Sequence, residues 1–351
     1  MDESRLREYL TQELGPISEI RISQFPAGSS NLTYWIGCGR EEFVLRRPPF
    51  GNRVKTAHDM RREFDVLSKL SRVYAPAPQP LLFCDDESVI GSEFYLMERR
   101  RGVVVRGRLS ERQLPDEIAA ATVERFETDR DFQFAVCRSF LGNLAELHSL
   151  DPAAAGLGLL GKPEGYNRRQ VEGWTKRYFA AKTDDWLELE ECIAWLNRKI
   201  PTESGSSIVH NDYKFDNVML SPHDLTRTTA VLDWEMVTIG DPLMDLGTTL
   251  GYWMAPEAGE EMLSMPFNPR VLMENLTRKQ LTEMYAEASG RELPNMLFYY
   301  VFGTFKIAVI AQQIYARYVK GLTKDRRFAR FNGLVSALGK ITTGALERGT
   351  V

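Results

Sequence analysis

The segment HNDYKFDN, residues 210–217, concentrates side chains that could move a proton or hold a metal ion. Asp212 offers a carboxylate that could orient a hydroxyl group and accept its proton. Asn217 follows five residues later and offers an amide oxygen, a hard ligand of the kind that Mg²⁺ prefers. Taken singly, either residue could instead serve an ordinary turn by bonding to nearby backbone, which is the commoner role of Asp and Asn.

The residues that follow this segment predict a β-hairpin. Two apolar runs, VML after Asn217 and TTAVLD ending at Asp233, flank the turn-rich segment SPHDLTR. Because the ends of an antiparallel hairpin lie about 5 Å apart across the ladder, we expect Asn217 and Asp233 to be neighbours. An amide oxygen beside a carboxylate suits Mg²⁺ that carries phosphate groups. Together with Asp212, this pair favours phosphoryl transfer to a hydroxyl over a simple turn.

Short runs rich in β-branched and aromatic residues fill the first hundred positions. EIRISQF, LTYWIGC and EEFVLRR predict a three-stranded antiparallel sheet, and PLLFCDD and SEFYLMER predict two further strands. Between these two groups of strands, helical spacing is shown by Met60, Phe64, Leu67 and Leu70. After Arg99 the pattern becomes mainly helical. We therefore expect two domains, residues 1–98 and residues 99–351.

A buried carboxylate is predicted in the first domain. At 100° per residue, Glu63 falls on the apolar face of the helix near residues 60–70, where it needs a cationic partner. The strand EEFVLRR offers Arg46 and Arg47, whose side chains point to opposite faces. We favour Arg46, although the sequence leaves the choice open. The pair could contribute to a site or could only anchor the helix.

The turn PAGSSN between the first two predicted strands is small and rich in backbone N–H groups. Its residues Gly28, Ser29 and Ser30 could cover phosphate groups, since consecutive N–H groups form anion-binding concavities. A plain hairpin connection would look similar.

Composition restricts the classes of partner. The chain of 351 residues has 43% hydrophobic and 26% charged residues and a net charge of −4, so it has no footprint for nucleic-acid binding. The apolar stretch from Met296 is interrupted by Lys306, which favours a buried helix over a membrane span. Four dispersed cysteines favour a reduced, cytoplasmic setting. With only four scattered histidines, a multi-histidine metallohydrolase is poorly supported.

In combination, these motifs resemble the aminoglycoside phosphotransferase family of kinase-like phosphotransferases. HNDYKFDN resembles the catalytic loop HxDxxxxN, LDWE resembles the metal-binding strand that follows it, and GDPLMDLG at 240–247 is similar to a segment typical of the family. The same motifs with VLRRPP are also similar to the kinase-like domain fused to acyl-CoA dehydrogenases in some animal proteins. The family resemblance covers most of the chain, and the similarity to the fused domain implies 4-hydroxyacyl substrates.

The family resemblance implies a fold and a set of roles. The fold would be α+β, with a small antiparallel-sheet N-lobe and a larger, mainly helical C-lobe in the bilobal protein-kinase arrangement. Asp212 would be the catalytic base and Lys214 a phosphate contact. Asn217 and Asp233 would be the ligands of Mg²⁺.

The nucleotide would be ATP, and its site is implied in the same way. Arg46, paired with Glu63, would stand where the family usually has a lysine, and the ATP base would lie against a hinge near Met97. His210 would organise the loop, and Asp245 would brace it.

The acceptor is expected to be a small hydroxylated molecule. Six residues separate Asp233 from Gly240, too few for the activation segment of a protein kinase, so no protein substrate is expected. On the helix near residues 297–318, four polar side chains fall within about 20° of one line. They are Tyr299, Lys306, Gln313 and Arg317. Facing a cleft, this stripe would suit an anionic acceptor, whereas it could alternatively satisfy buried acids.

Three alternatives to this hypothesis stay open. A catalytically silent, kinase-like nucleotide-binding protein would explain the missing lysine. An aminoglycoside-type or choline-type kinase would have the same motifs with another acceptor. Metal-dependent hydrolysis would release phosphate without ATP.

Overall fold

A computed structural model describes residues 2–25, 31–49, 59–109, 118–254 and 256–351. The chain forms two compact units. Unit 1 contains Met1–Arg101, Ala155–Leu157 and Thr229–Glu235, and unit 2 contains Gly102–Ala154, Gly158–Thr228 and Met236–Val351. The predicted boundary at residue 98 assigned the two short later segments of unit 1 to the second domain.

Unit 1 is built on a five-stranded antiparallel sheet. Its strands are β1 (Ile20–Gln24), β2 (Leu32–Cys38), β3 (Glu41–Arg47), β4 (Pro80–Cys84) and β5 (Phe94–Glu98). Their order is β1-β2-β3-β5-β4, so the last two predicted strands extend the sheet of the first three. The five strands predicted from the alternating runs are therefore all present. The α+β class is confirmed.

The described residues of unit 1 also form three helices, namely α1 (Glu3–Leu14), α2 (Met60–Leu70) and α3 (Glu87–Ile90). The sequence analysis did not predict α1. Its signals are local, because Asp2 caps the first turn and Leu6 and Leu10, one turn apart, are fully buried in the core against the sheet.

Unit 2 is mainly helical. Its helices are α4 (Ala120–Thr128), α5 (Arg130–Ser149), α6 (Tyr166–Ala181), α7 (Leu187–Arg198), α8 (Pro242–Gly251), α9 (Glu260–Leu263), α10 (Arg270–Asn275), α11 (Arg278–Ser289), α12 (Met296–Val319) and α13 (Phe331–Arg348). Four short strands form two ribbons. They are β6 (Ser207–Val209) paired with β9 (Thr238–Gly240), and β7 (Val218–Ser221) paired with β8 (Asp224–Val231). The last residues of β8 belong to unit 1.

Helices α8 and α12 pack with their backbones in direct contact. A Cβ atom at Gly303 would lie 2.1 Å from the carbonyl oxygen of Gly247, and one at Gly247 would lie 2.2 Å from the carbonyl oxygen of Tyr299. Only glycine permits this approach. The crossing matters for the site because Asp245 and Lys306 lie near it, one on each helix.

Helix α12 is long and apolar enough to cross a bilayer, but 78% of its most apolar window is buried inside the protein. The prediction of a buried helix is therefore confirmed. Lys306, which interrupts the apolar run, is also buried.

Candidate active site

The HNDYKFDN segment forms a tight loop between two strands of unit 2. Strand β6 ends at Val209, the loop continues into a 3₁₀ turn at Phe215–Asn217, and β7 begins at Val218. Asn211 has a left-handed backbone with φ of 68°. The chain therefore turns sharply just before Asp212.

Three side chains surround the carboxylate of Asp212. Tyr252, which follows α8, donates its hydroxyl to Oδ1 at 2.6 Å. Asn217 donates from Nδ2 to Oδ2 at 2.8 Å and to the Asp212 carbonyl oxygen at 2.9 Å, and Lys214 forms an ion pair with Oδ2. The Lys214 ammonium also lies 4.8 Å from the centre of the Tyr252 ring. The structure thus brings Asp212, Lys214 and Asn217 together.

These donors control the charge of Asp212. Burial acts to raise its pKa, but the Lys214 ammonium and hydrogen bonds from Lys214 and Tyr252 outweigh burial, so the pKa lies below the ordinary value. The side chain keeps 16% of its surface exposed. Asp212 is therefore an ionised carboxylate with access from outside, which is the state that a general base needs.

The rest of the loop is anchored to unit 2 by aromatic packing and hydrogen bonds. The Phe215 ring stacks on Phe140 of α5 with centroids 4.1 Å apart, and the Tyr213 hydroxyl donates to the Phe140 carbonyl at 2.8 Å. Asp216, which had no predicted role, forms an ion pair with Arg106. The part of the loop that follows Asp212 is thus held in place.

Asp245 of α8 braces the start of the loop. Its carboxylate accepts the backbone N–H groups of His210 at 2.6 Å and Asn211 at 2.7 Å. The Nε2 atom of His148 lies 3.1 Å from the same carboxylate, while its Nδ1 atom lies 2.7 Å from the Tyr285 hydroxyl. The predicted bracing role of Asp245 is confirmed.

Hydrogen bonds give Asp245 a low pKa although it is fully buried. Burial raises its pKa, but the hydrogen bond and charge of His148, with the charges of His210 and Lys306, lower it below the ordinary value. His210 also accepts the Asp212 backbone N–H at Nδ1, at 3.2 Å, so its predicted organising role is confirmed.

Asp241 caps the N-terminus of α8 and orders the polar residues around it. Its Oδ1 atom accepts the N–H of Leu243, as predicted from the Asp-Pro pair at the start of the helix. Its Oδ2 atom accepts from Asn167 and from the hydroxyl of Tyr299, both at 2.9 Å. Tyr299 is 1% exposed, so its hydroxyl is committed to a buried carboxylate.

The predicted stripe on α12 does not form one surface. Tyr299 and Lys306 are buried, Gln313 is half-buried and Arg317 is exposed. Lys306 donates from Nζ to the backbone carbonyl of Asn211 at 2.6 Å. The alternative that Lys306 and Arg317 satisfy buried acids does not hold as stated, since Lys306 donates to a backbone carbonyl and Arg317 is exposed. The stripe residue that satisfies a buried acid is Tyr299. The 100° projection gave their angular alignment but not the depth at which each side chain lies.

In unit 1, Arg46 bridges two carboxylates. Its Nη1 atom lies 3.1 Å from Oε1 of Glu63 on α2, and its Nη2 atom lies 3.0 Å from Oδ1 of Asp233. Arg47 is also buried, but it donates to the carbonyl of Ile90 at 2.8 Å. The choice that the sequence left open thus falls on Arg46, and the forked guanidinium uses both of its arms.

Glu63 is held less firmly than Asp245. Burial raises its pKa, and the Arg46 guanidinium with a hydrogen bond from Tyr95 offsets that effect only in part, while Asp233 adds to it. The net pKa lies above the ordinary value. Asp233 itself has a left-handed backbone with φ of 66°.

The other predicted nucleotide contacts are Met97 and the three residues of the first turn. Met97 lies within β5, pairs in register with Val44, and is 7% exposed. Gly28, Ser29 and Ser30 lie outside the described residues.

The predicted metal ligands fit Mg²⁺ by their chemistry. Asn217 donates from its amide nitrogen to Asp212, so its amide oxygen is the atom that could serve as a hard ligand, and Asp233 has a second carboxylate oxygen besides the one that faces Arg46. Among the described residues, no group of three or more His, Cys, Asp or Glu side chains is arranged to hold a metal. Asn217 lies in unit 2 and Asp233 in unit 1, and their juxtaposition stays a prediction.

The family is decided by a match over most of the chain. Residues 21–265 match the model of the phosphotransferase enzyme family that includes the aminoglycoside phosphotransferases. The chain belongs to this phosphotransferase family.

Relatives of this phosphotransferase include a human protein, acyl-CoA dehydrogenase family member 11, which is 33% identical over 97% of the chain. The match spans 42% of that protein, so the chain covers about two fifths of the length of its curated relatives. A candidate aminoglycoside phosphotransferase from Ralstonia eutropha JMP134 has 28% identity and a TM-score of 0.77, with 99% of this chain and 98% of that chain covered.

A third similar protein, a thermostable mutant of aminoglycoside phosphotransferase APH(4)-Ia, was solved as a ternary complex with ADP and hygromycin B. It shares 17% identity and a TM-score of 0.56 with this phosphotransferase, over 94% of this chain and 98% of that one. At this identity the likeness concerns the fold alone. The predicted kinase-like fold is confirmed by these structures.

Sequence reasoning missed several residues of the site. Tyr252 was not considered, although its hydroxyl contacts Asp212, and neither was Asn268, whose Oδ1 atom accepts the N–H of Phe215 at 3.1 Å. Arg106, which pairs with Asp216, was not assigned a role either. The available signal was weak, because the partners of these residues are 40 to 110 residues away in sequence.

Proposed function

We propose that this phosphotransferase moves the γ-phosphoryl group of ATP to a hydroxyl of a small molecule, with Asp212 as the general base. The observation that carries the proposal is the state of Asp212. Its carboxylate is ionised, partly exposed, and fixed by donors from Tyr252, Lys214 and Asn217. Such a group can orient an acceptor hydroxyl and take its proton as the oxygen attacks phosphorus.

The remaining residues position charge. Lys214 would contact the transferred phosphoryl group, and Arg46, held by Glu63, would face the nucleotide phosphates. Asn217 and Asp233 would hold Mg²⁺, which supplies neutralisation of phosphate charge when bound. Transfer would then depend mainly on positioning and on charge stabilisation rather than on covalent chemistry.

The proposed nucleotide is ATP, and the proposed setting is the cytoplasm. Support for a nucleotide comes from family membership and from the similar aminoglycoside phosphotransferase that binds ADP. Support for the setting comes from four free, buried cysteines and from the burial of α12.

For the acceptor we propose an anionic hydroxylated molecule, a hydroxy acid or a hydroxyacyl-CoA. This now rests on similarity to acyl-CoA dehydrogenase family member 11, because Tyr299 and Lys306 have buried partners. An aminoglycoside-type or choline-type acceptor is the second candidate, favoured by the structural likeness to aminoglycoside phosphotransferases. An ATP-consumption screen across hydroxy acids, hydroxyacyl-CoAs, aminoglycosides, choline and sugars separates the two.

The test of the base is Asp212→Asn. We expect kcat to fall by about 10³-fold or more, since the amide cannot accept a proton, while ATP binding measured by calorimetry survives. The matched control is Asp216→Asn, which changes the same residue type in the same loop, at a side chain that pairs with Arg106 rather than with the Asp212 carboxylate. It should stay within about tenfold of the wild type. Equal turnover of Asp212→Asn and wild type would contradict the proposal. ATP binding without transfer to any acceptor, in the wild type, would favour the silent nucleotide-binding protein.

A further inference from the structure

Asn211, the residue before the proposed base, makes a hydrogen bond with each of its backbone and side-chain polar groups. Its N–H donates to Asp245 at 2.7 Å, and its side-chain Nδ2 donates to the carbonyl of Met236 at 3.1 Å. Its Oδ1 accepts from the Tyr166 hydroxyl at 3.2 Å, and its carbonyl oxygen accepts from Lys306 Nζ at 2.6 Å. Asparagine adopts the left-handed region more readily than other residues except glycine, and here these hydrogen bonds hold it there.

Lys306 is the charged member of this set of hydrogen-bond partners. It is 1% exposed on α12, and its ammonium lies 5.6 Å from the centre of the Trp174 ring. In the described part of the chain its ammonium donates to two atoms of Asn211, the carbonyl oxygen at 2.6 Å and Oδ1 at 3.5 Å. A buried ammonium is costly unless it is compensated, so its retention beside the loop requires a reason.

Burial also makes Lys306 unsuited to touch a substrate. Its side chain points to the inner side of the loop, where it holds the carbonyl that precedes the Asp212 N–H group. The peptide between Asn211 and Asp212 is therefore fixed at one end by Lys306 and at the other by His210, which accepts the Asp212 N–H. The orientation of this peptide sets the direction in which the Asp212 side chain leaves the backbone.

We propose that Lys306 is a positioning residue. By holding the carbonyl oxygen of Asn211 it fixes the left-handed turn at that residue, and so it sets the direction of the Asp212 carboxylate. The inference rests on the proposed role of Asp212 as base. It replaces acceptor binding, the role that the sequence suggested for Lys306.

Because Lys306 can lose its proton, the strength of its hydrogen bond to Asn211 should depend on pH. Burial lowers its pKa to about 8, while the carboxylates of Asp245 and Asp212 raise it and the cations of Lys214 and Arg177 lower it further. Lys306 is therefore cationic below pH 8 and loses its proton as pH rises through that value. The hydrogen bond to Asn211 then loses its charge assistance, which weakens it.

The decisive variant is Lys306→Met, which keeps the length of the side chain and removes the donor. We expect kcat to fall by about 100-fold, as for a catalytic group displaced by about 1 Å, while KM for ATP and for the acceptor changes less than about threefold. Amide hydrogen exchange of the peptide covering residues 207–220 should become faster, because the turn at Asn211 loosens. Lys340→Met, an exposed lysine on α13, is the matched control and should change neither quantity.

Each outcome bears on a separate claim. A raised KM for the acceptor with unchanged kcat would return Lys306 to substrate binding, and unchanged kcat or unchanged exchange would equally overturn the positioning role. Hydrogen exchange does not need turnover, so it tests this role even if the wild type transfers phosphate to no acceptor, a result that would overturn the proposed function instead.

A second measurement covers the case in which Lys306→Met does not fold. In the wild type, kcat should decline as pH rises through about 8 with little change in KM for ATP, and exchange in residues 207–220, corrected for the intrinsic pH effect, should accelerate over the same range. A flat profile of both quantities to pH 9 would contradict the proposal.

Discussion

Glu63 in unit 1 and Asp245 in unit 2 are both buried carboxylates, yet their pKa values move in opposite directions. Burial alone raises the pKa of each. Glu63 faces a guanidinium at 3.1 Å and stays above its ordinary value. Asp245 accepts two backbone N–H groups at 2.6 and 2.7 Å, beside His148, and lies below its ordinary value. A hydrogen bond from His148, with the charges of His148, His210 and Lys306, thus stabilises the buried negative charge of Asp245 more effectively than the shared Arg46 guanidinium stabilises that of Glu63.

The difference has a structural reason. Arg46 divides its charge between Glu63 and Asp233, so the cluster has two anions and one cation. Asp245 accepts the backbone N–H groups of His210 and Asn211 and lies in the field of His148, His210 and Lys306. An ion pair of side chains can be replaced as a unit, whereas backbone donors remain after any substitution. Unit 1 should therefore tolerate the loss of both Arg46 and Glu63 better than unit 2 tolerates the loss of Asp245 and His148, which brace the loop.

The largest expected effect comes from removing one partner at a time. Arg46→Met should lower the free energy of unfolding by about 3–5 kcal/mol, because Glu63 is left as an uncompensated buried charge. The double variant Arg46→Met with Glu63→Met should recover to within about 1 kcal/mol of the wild type, since Asp233 is exposed enough to be hydrated. Urea denaturation of the two variants measures this.

In unit 2, the corresponding double variant should not regain the stability of the wild type. Asp245→Leu combined with His148→Phe removes both side chains of the brace, but the N–H groups of His210 and Asn211 stay buried without an acceptor. At about 1–3 kcal/mol for each of the two unsatisfied groups, the double variant should remain at least about 2 kcal/mol less stable than the wild type. If both double variants regained the free energy of unfolding of the wild type equally, the proposed difference between the Arg46–Glu63 pair and the Asp245 site would be wrong.

A smaller effect is expected at the helix crossing that carries the brace. Gly303→Ala inserts a methyl group 2.1 Å from the carbonyl oxygen of Gly247, so α8 and α12 must separate. Overpacking of this kind costs about 1–3 kcal/mol, and the displacement should also lower kcat because Asp245 and Lys306 move apart. Thermal melting and turnover measure the two effects.

Gly142→Ala is the control for that substitution. Gly142 is in α5, and a Cβ atom there meets nothing within 4 Å. Alanine should stabilise the helix by about 0.5–1 kcal/mol through its higher propensity and leave kcat unchanged. A similar loss of stability in both glycine variants would indicate a general intolerance of helix substitution rather than a close crossing.

The sequence predicted the sheet of unit 1 well because its strands alternate clearly and lie near one another in the chain. It also predicted the inward face of α2 with Glu63, since that face follows from 100° per residue and requires no knowledge of the partner. The loop from His210 to Asn217 was recognisable because its chemistry is local. Asp245 and His210 were assigned their structural roles for the same reason, through a short motif.

The parts that were not predicted depend on depth and on contacts distant in sequence. Lys306 and Arg317 share one angular line on α12, yet one is buried and the other exposed, because burial depends on how neighbouring helices cover α12. The contact between Tyr252 and Asp212 spans 40 residues and arises from the end of α8. Helix α1 was overlooked for a different reason: its charged residues obscured a two-leucine stripe.

The smallest effect, and the finest test of the comparison, is the pH dependence of stability. Asp245, whose pKa is lowered on folding, contributes stability that is present above the ordinary carboxyl pKa of about 4 and is lost as pH falls through its folded value. Glu63, whose pKa is raised, has the opposite sign, because the folded state then binds more protons and its contribution weakens as pH rises above about 4.

Two variants separate these contributions. Asp245→Asn should flatten the dependence of the urea midpoint on pH below about pH 4, whereas Glu63→Gln should make stability rise more steeply between about pH 4 and pH 7. Asp184→Asn, at an exposed position, is the control and should leave the profile of the wild type unchanged. If both buried variants altered the slope in the same direction, the contrast would be wrong. Burial would then determine the pKa of both carboxylates, and the hydrogen bonds to Asp245 would have to be weaker than their distances indicate.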